Sequence, residues 1–293
     1  MRLAEIERHV GSMEELQRLI GAMRAIASMR MQEALRALGS VREYGGALVA
    51  GIHDALVIAG ERAQAAAGAG SHPLDATGLP APRAGRRAVV LLASEHGFVG
   101  GFNQRLIEAA ESDLVATDAL VIVGSRGAAL AAERGHAAAE AHPLATRLAG
   151  IPETVRLLEE ALFPRIAGGQ IVRAQVIFSR HRGTGDLAIE RRRLFPLELT
   201  DARPERCRLA PLHDLPIAEL LEKLTAEYML AQLTEAATEA LAAENAARFA
   251  AMESARDNVA RKLRALRLDA SGARQEEVTT ELLDIITGER ALR

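Results

Sequence analysis

A chain of 293 residues with 49% hydrophobic and 26% charged residues has the composition of a folded protein of one or two domains. Its net charge of −3 supplies no basic excess to recommend a nucleic-acid partner. The single cysteine, Cys207, can form no disulfide within the chain and fits a reducing compartment.

Apolar runs such as Ala88–Ala93 fall far short of the ~20 residues of a membrane span. The opening MRLAEIERHV carries Glu5 and Glu7 and is not read as a signal peptide. Direct membrane insertion is therefore not expected, and any membrane role is expected to come through a partner. All ten prolines lie between Pro73 and Pro216, leaving 72 residues before the first and 77 after the last. Proline breaks helix interiors, so both ends are free to form long helices and the middle is not.

At the N-terminus, Leu3, Ile6, Val10, Met13, Leu16, Ile20, Met23 and Ala27 step in threes and fours, and Leu35, Leu38 and Val41 continue the stripe. This periodicity predicts one helix from Leu3 to about Ala59. Gly21, Gly39 and the pair Gly45–Gly46 are mild interruptions, each costing about 1 kcal/mol. Residues 61–86 are rich in Gly, Ala and Pro and read as a linker.

A strand (Arg87–Ala93), a helix (Phe102–Ser112), a second strand (Ala119–Gly124) and a second helix (Arg126–Arg134) follow. Pro152–Ile166 reads as an amphipathic helix. Ile171–Ser179 and Leu187–Pro196 read as strands around a turn with Gly183 and Gly185. Strands alternating with helices imply a small α/β domain, residues 87–215, with a largely parallel sheet.

From residue 216, Ile217, Leu220, Leu224 and Tyr228 open a second long stripe. Leu241, Phe249, Met252, Val259, Leu263 and Leu266 continue it, and Val278, Leu282 and Ile285 end it. About 70 helical residues would span ~105 Å, more than a compact domain of this size can bury. The N-terminal helix is the expected partner, in an antiparallel coiled coil. The fold class is thus α/β: a small Rossmann-like central domain plus a long coiled coil of the terminal helices, divided as 1–60, 61–86, 87–215 and 216–293.

Between the first strand and its helix stands SEHGFVGGFN, residues 94–103. A phosphate loop needs G-x-x-x-x-G-K-[ST], but Gly97, Gly100 and Gly101 are followed by Phe102, Asn103 and Gln104. The dinucleotide spacing G-x-G-x-x-G is missing too. Both this turn and VGSRG (Val123–Gly127) therefore read as strand-to-helix turns that use glycine geometry. No cofactor or metal is expected. The histidines show no ligand spacing, and Ser94, Glu95 and His96 are adjacent in sequence, which is no evidence of a triad.

These stretches together resemble the gamma subunit of F-type ATP synthases over nearly the whole chain. Ile6–Met31 is similar to that family's N-terminal helix, and Ser94–Asn103 to its S-D-R-G-L-C-G-G-L-N turn. GSRG is similar to its G-S-K-G. Ala243–Leu263 and Ala273–Leu292, the latter containing ARQEEVTTELL, resemble its C-terminal motifs.

The resemblance implies a central-stalk rotor that couples ion flow through the c-ring to ATP synthesis or hydrolysis. The terminal helices would turn inside a hexamer of three alpha and three beta subunits. The α/β domain would lie against the epsilon subunit and the c-ring, at the cytoplasmic face of the bacterial inner membrane. Nucleotide would bind to alpha and beta, so this chain would itself not be catalytic.

Carried over residue by residue, Arg274, Gln275 and Thr279 would hydrogen-bond a loop of beta, and Met23 would face beta's acidic lever. His213 and Asp214 are assigned to epsilon and the c-ring. Without the resemblance, Arg274 and Gln275 read as a solvated helix face and Met23 as a coiled-coil core residue.

Three departures point to a divergent branch, of which the alternative sodium-type operons are one candidate. Gly21 replaces the usual Lys, Phe98–Val99 replaces Leu-Cys, and DASG (Asp269–Gly272) replaces Tyr-Asn. The coupling ion stays open between proton and sodium. The alternatives are a nucleotide-dependent enzyme using the central domain, which would need nucleotide affinity of the isolated chain, and a free-standing coiled-coil scaffold.

Overall fold

The computed structural model describes residues 3–66, 85–183, 186–197 and 212–291, with side chains to residue 60 in the first helix and to residue 283 in the last. Cys207 and most of the segment read as a linker lie outside the described residues. In chain order the elements are α1 (Leu3–Ala66), β1 (Arg86–Leu92), α2 (Phe102–Glu111), β2 (Ala119–Val123), α3 (Ser125–Glu133), β3 (Glu140–His142), α4 (Ile151–Ala167), β4 (Ile171–His181), β5 (Leu187–Phe195) and α5 (Ile217–Ala291). The three-residue β3 has no readable alternation and was not expected. α1 runs past Ala59 to Ala66.

The chain forms two units, one of residues 29–247 and one joining residues 1–28 to residues 248–293. In the first unit the strand order is β3-β2-β1-β4-β5. β1 pairs in parallel with β2 and β4, β2 with β3, and only β4–β5 is antiparallel.

Successive side chains alternate between faces of a sheet. Ala88, Val90 and Leu92 of β1 therefore enter one core with Val176 and Phe178 of β4, Leu158 and Leu162 of α4, and Leu233, Ala237 and Leu241 of α5. Val89 and Leu91 enter the opposite core with Phe102, Leu106 and Ile107 of α2. Coverage on both faces is why β1 and β2 read as unbroken apolar runs rather than alternating ones.

α5 is buried on all sides from Ala236 to Arg248. Its alanines allow that, because the distance between packed helices shrinks with the side chains at the contact. α1 contributes Ala34 to the same core, and Tyr44 of α1 donates from its hydroxyl to Glu227 of α5 at 2.6 Å.

The second unit is an antiparallel helix pair. Glu7 bonds Arg274 at 2.6 Å and Glu14 bonds Arg267 at 2.7 Å. Partners seven residues apart on both helices are the step of a heptad seam. Ile20, Met252, Val259 and Leu263 are buried in this seam, with Met13, Met23 and Ala255 packed against them. The seam is narrower than the expected stripe: Ile6, Ile20 and Ala27 are buried, but Leu16 lies outside it and is exposed.

Candidate functional site

In open α/β sheets, ligands bind outside the carboxyl ends of the strands where the strand order reverses. Here that place lies between β1 and β4, beside the SEHGFVGG turn. Ser94 is buried; its N–H donates to Asn103 Oδ1 at 2.9 Å, and Asn103 Nδ2 donates to Ser94 Oγ at 2.7 Å. This pair ties the end of β1 to the start of α2 and removes Ser94 as a nucleophile.

Glu95 turns to the start of α3. It accepts from Ser125 N–H at 3.0 Å, from Ser125 Oγ at 2.7 Å and from the Leu144 N–H at 2.9 Å. A helix N-terminus is a natural anion site, and here the protein's own carboxylate fills it. The turn thus holds no triad: Ser94 ties β1 to α2, and Glu95 caps α3.

Burial raises the Glu95 pKa, but the bonds from Ser125 and Leu144 outweigh it and hold the group below its ordinary 4.5. A depressed folded value means that the stabilisation is full above the unfolded value and is lost as pH falls through the folded one. Glu95→Gln is expected to cost about 1 kcal/mol, the usual loss for a helix cap. Urea denaturation of the chain at neutral pH should show that loss. The difference between variant and wild type should shrink as the pH falls well below 4.5; a constant difference would overturn this account.

The glycines of GSRG have steric reasons. Gly124 has φ +111°, and a Cβ there would stand 2.4 Å from the Ala93 carbonyl oxygen. A Cβ on Gly127 would stand 2.0 Å from the Ala93 Cβ, and the Gly127 N–H donates to the Ser94 carbonyl at 3.2 Å. α3 therefore lies directly against the end of β1. Among the described residues, no three His, Cys, Asp or Glu side chains converge to hold a metal, and no helix is long and apolar enough to cross a membrane.

The other candidate surface is the helix pair. Arg274 is 65% exposed along its side chain while it bonds Glu7. Gln275 and Thr279 are exposed, and the Thr279 hydroxyl donates to the Gln275 carbonyl at 2.7 Å within the helix. Met23 is half-buried against the seam of Ile20 and Met252, where a methionine fills an irregular gap. The structure thus brings Arg274, Gln275 and Thr279 within two turns of one helix and sets Met23 apart on the other.

The register of the Glu7 and Glu14 bridges puts Leu3 level with Val278. α5 continues past that level, and Val278 and Leu282 are exposed although they continue the apolar stripe. Ile285 and Ile286 lie beyond the described side chains. His213 is half-buried, with Nδ1 donating to the Leu215 carbonyl at 2.8 Å, and Asp214 is exposed. Both sit just ahead of α5.

A family model described as ATP synthase matches residues 2–292. The chain is 28% identical over 305 residues to the ATP synthase gamma chain of Streptomyces avermitilis, covering 99% of this chain and 96% of the relative. It is 25% identical over 292 residues to the gamma chain of Desulforamulus reducens, covering 98% of each. Its fold is similar to a chain of the Tetrahymena thermophila mitochondrial ATP synthase central stalk and c-ring structure. The TM-score there is 0.56 at 16% identity, covering 81% of this chain and 99% of that one. A chain of the Euglena gracilis mitochondrial enzyme gives 0.51 at 16% identity, covering 93% and 95%.

Proposed function

The chain belongs to the ATP synthase gamma-chain family, and we propose that it turns as the central stalk of such a complex, within a hexamer of alpha and beta subunits. On this reading the α/β domain meets epsilon and the c-ring through the region of His213 and Asp214. The complex stands at the cytoplasmic face of a bacterial inner membrane. On the same reading the chain is itself not catalytic, and nucleotide chemistry belongs to alpha and beta.

The observation that carries this reading is the outer surface of the helix pair, where Leu19, Leu268, Val278 and Leu282 stay exposed, Leu268 at 74%. A sleeve of protein around the helix pair would cover them. A shaft that must turn within a sleeve is served by apolar contact, which is non-directional. A few polar groups, Arg274, Gln275 and Thr279 on α5, would mark preferred angles against beta, and Met23 would meet beta's acidic lever. The filling of the α3 N-terminus by Glu95 fits the same reading, since the anion position at that helix end is already taken by a side chain.

The test is coexpression with the alpha and beta subunits of the same complex. A stable assembly that hydrolyses ATP, from a chain that alone binds neither ATP nor ADP by calorimetry, is the expected result. Micromolar nucleotide binding by the isolated chain, or failure to copurify with alpha and beta, overturns the reading.

A further inference from the structure

Six charged side chains from four elements close a ring within the unit of residues 29–247. Arg42 of α1 bonds Glu239 of α5. Glu239 bonds Arg180 of β4 at 3.3 Å, and Arg180 bonds Glu190 of β5 at 3.2 Å. Glu190 bonds Arg192 at 2.6 Å, Arg192 bonds Glu235 of α5 at 2.8 Å, and Glu235 returns to Arg42 at 3.0 Å.

Cation and anion alternate throughout, and the net charge is zero. Arg192 also donates to Gln232 at 3.0 Å and stacks its guanidinium 5.2 Å from the Phe178 ring centroid. Glu239 is only 2% exposed along its side chain, while Arg42 is 43% exposed. A carboxylate that deep must be paired, since an unpaired buried charge is strongly destabilising.

The apolar contacts around this ring are rich in alanine. Where α5 meets the sheet and α1, the core holds, beside Leu233 and Leu241, Ala34, Ala236, Ala237 and Ala240. Such small side chains bury area but offer few knobs to oppose a turn of the helix about its axis, and apolar burial has no direction of its own. Charge pairs are directional, and arginine is suited to bridging carboxylates because its planar fork presents fixed donors. A turn of α5 moves Glu235 and Glu239 together, which strains the links to α1 and to the sheet at once.

We propose that this ring holds α5 in torsion against α1 and against the sheet within this unit, with Arg42, Glu235, Glu239, Arg180, Glu190 and Arg192 as positioning residues for the transfer of torque. The proposal rests on the rotor reading. It assigns the angular stiffness of the joint to these directional bonds and its cohesion to the alanine-lined core.

The experiment measures the angular spread of a bead tethered to the α/β domain in the assembled alpha, beta and gamma complex, stalled without ATP. Arg42→Met keeps the aliphatic stem and removes the charge; Arg42→Lys keeps a charge without the fork. Removing Arg42 deletes two of the four links that hold α5 in the ring. If the links share the load independently, the angular variance should rise up to about twofold. Arg42→Lys should recover part of the difference.

High salt should widen the wild type towards the Met variant, since Arg42 is partly exposed and open to screening. A Met variant with the wild-type spread, a Lys variant as loose as Met, or a wild-type spread indifferent to salt overturns the ring. A wild-type complex that gives no rotation when ATP is supplied sinks the rotor reading and the ring with it, which separates the two failures.

Discussion

Changing Arg274 and Gln275 together to Ala is expected to slow ATP hydrolysis by the assembled complex about tenfold or more, with helix content and assembly unchanged. Within the chain the two residues contribute little: Arg274 makes an exposed bridge to Glu7 and Gln275 is open to solvent. Exposed pairs are worth about 0–1 kcal/mol, and alanine favours helix, so the fold should survive. Contact with beta would remove water from both groups, and a hydrogen bond to a charged group is then worth roughly 1.5–3 kcal/mol. If it forms at the limiting step, each 1.36 kcal/mol is about tenfold in rate.

Glu7→Ala separates the two roles of Arg274, because it removes the internal bridge and leaves the guanidinium in place. It should hydrolyse at the wild-type rate. A double variant that also assembles and turns over normally would make these residues a solvated face.

Gly124→Ala and Gly272→Ala should move stability in opposite directions. At Gly124 a Cβ meets backbone, 2.4 Å from the Ala93 oxygen, and φ is +111°. Backbone strain of this kind costs about 1–3 kcal/mol and overpacking a similar amount. A loss on the order of 2–6 kcal/mol is therefore expected, large beside a total of roughly 5–15. Gly272 lies inside α5, and a Cβ added there would meet nothing within 4 Å. Alanine there should stabilise the helix by up to about 1 kcal/mol. Thermal denaturation of the two variants beside the wild type decides it; an unaltered midpoint for Gly124→Ala would show that α3 can draw away from β1.

The same glycine contrast shows how much could be read in advance. GSRG could be recognised as a turn that uses glycine, because a phosphate loop would have needed Lys and Ser or Thr in fixed places. Which glycine is sterically required, and against which atom, depends on how α3 lies on Ala93. Glu95 was legible only as a polar neighbour of Ser94 and His96. Its partners, Ser125 and Leu144, stand 30 and 49 residues away, a separation that no local pattern encodes.

The ring around Glu239 was hidden for a related reason. Two of its carboxylates lie in α5 and the third, Glu190, in β5, while its arginines lie in α1, β4 and β5, so no local pattern in the sequence joins them.

Alanine by itself signals helix propensity. Its second role appears only where α5 is enclosed from Ala236 to Arg248 and larger side chains would hold its neighbours away.

What the sequence determined by itself was whatever repeats over a few residues or forbids a conformation outright. The proline-free ends and their 3–4 spacing made α1 and α5, and the apolar runs and glycine turns made the strands and helices between. Tertiary structure decided the rest: the narrowing of the coiled-coil seam that leaves Leu16 exposed, the closure of the charge ring, and the carboxylate that fills the α3 N-terminus. Helix and strand formation depend on neighbours along the chain, whereas burial, pairing and pKa depend on groups that meet only once the chain has folded.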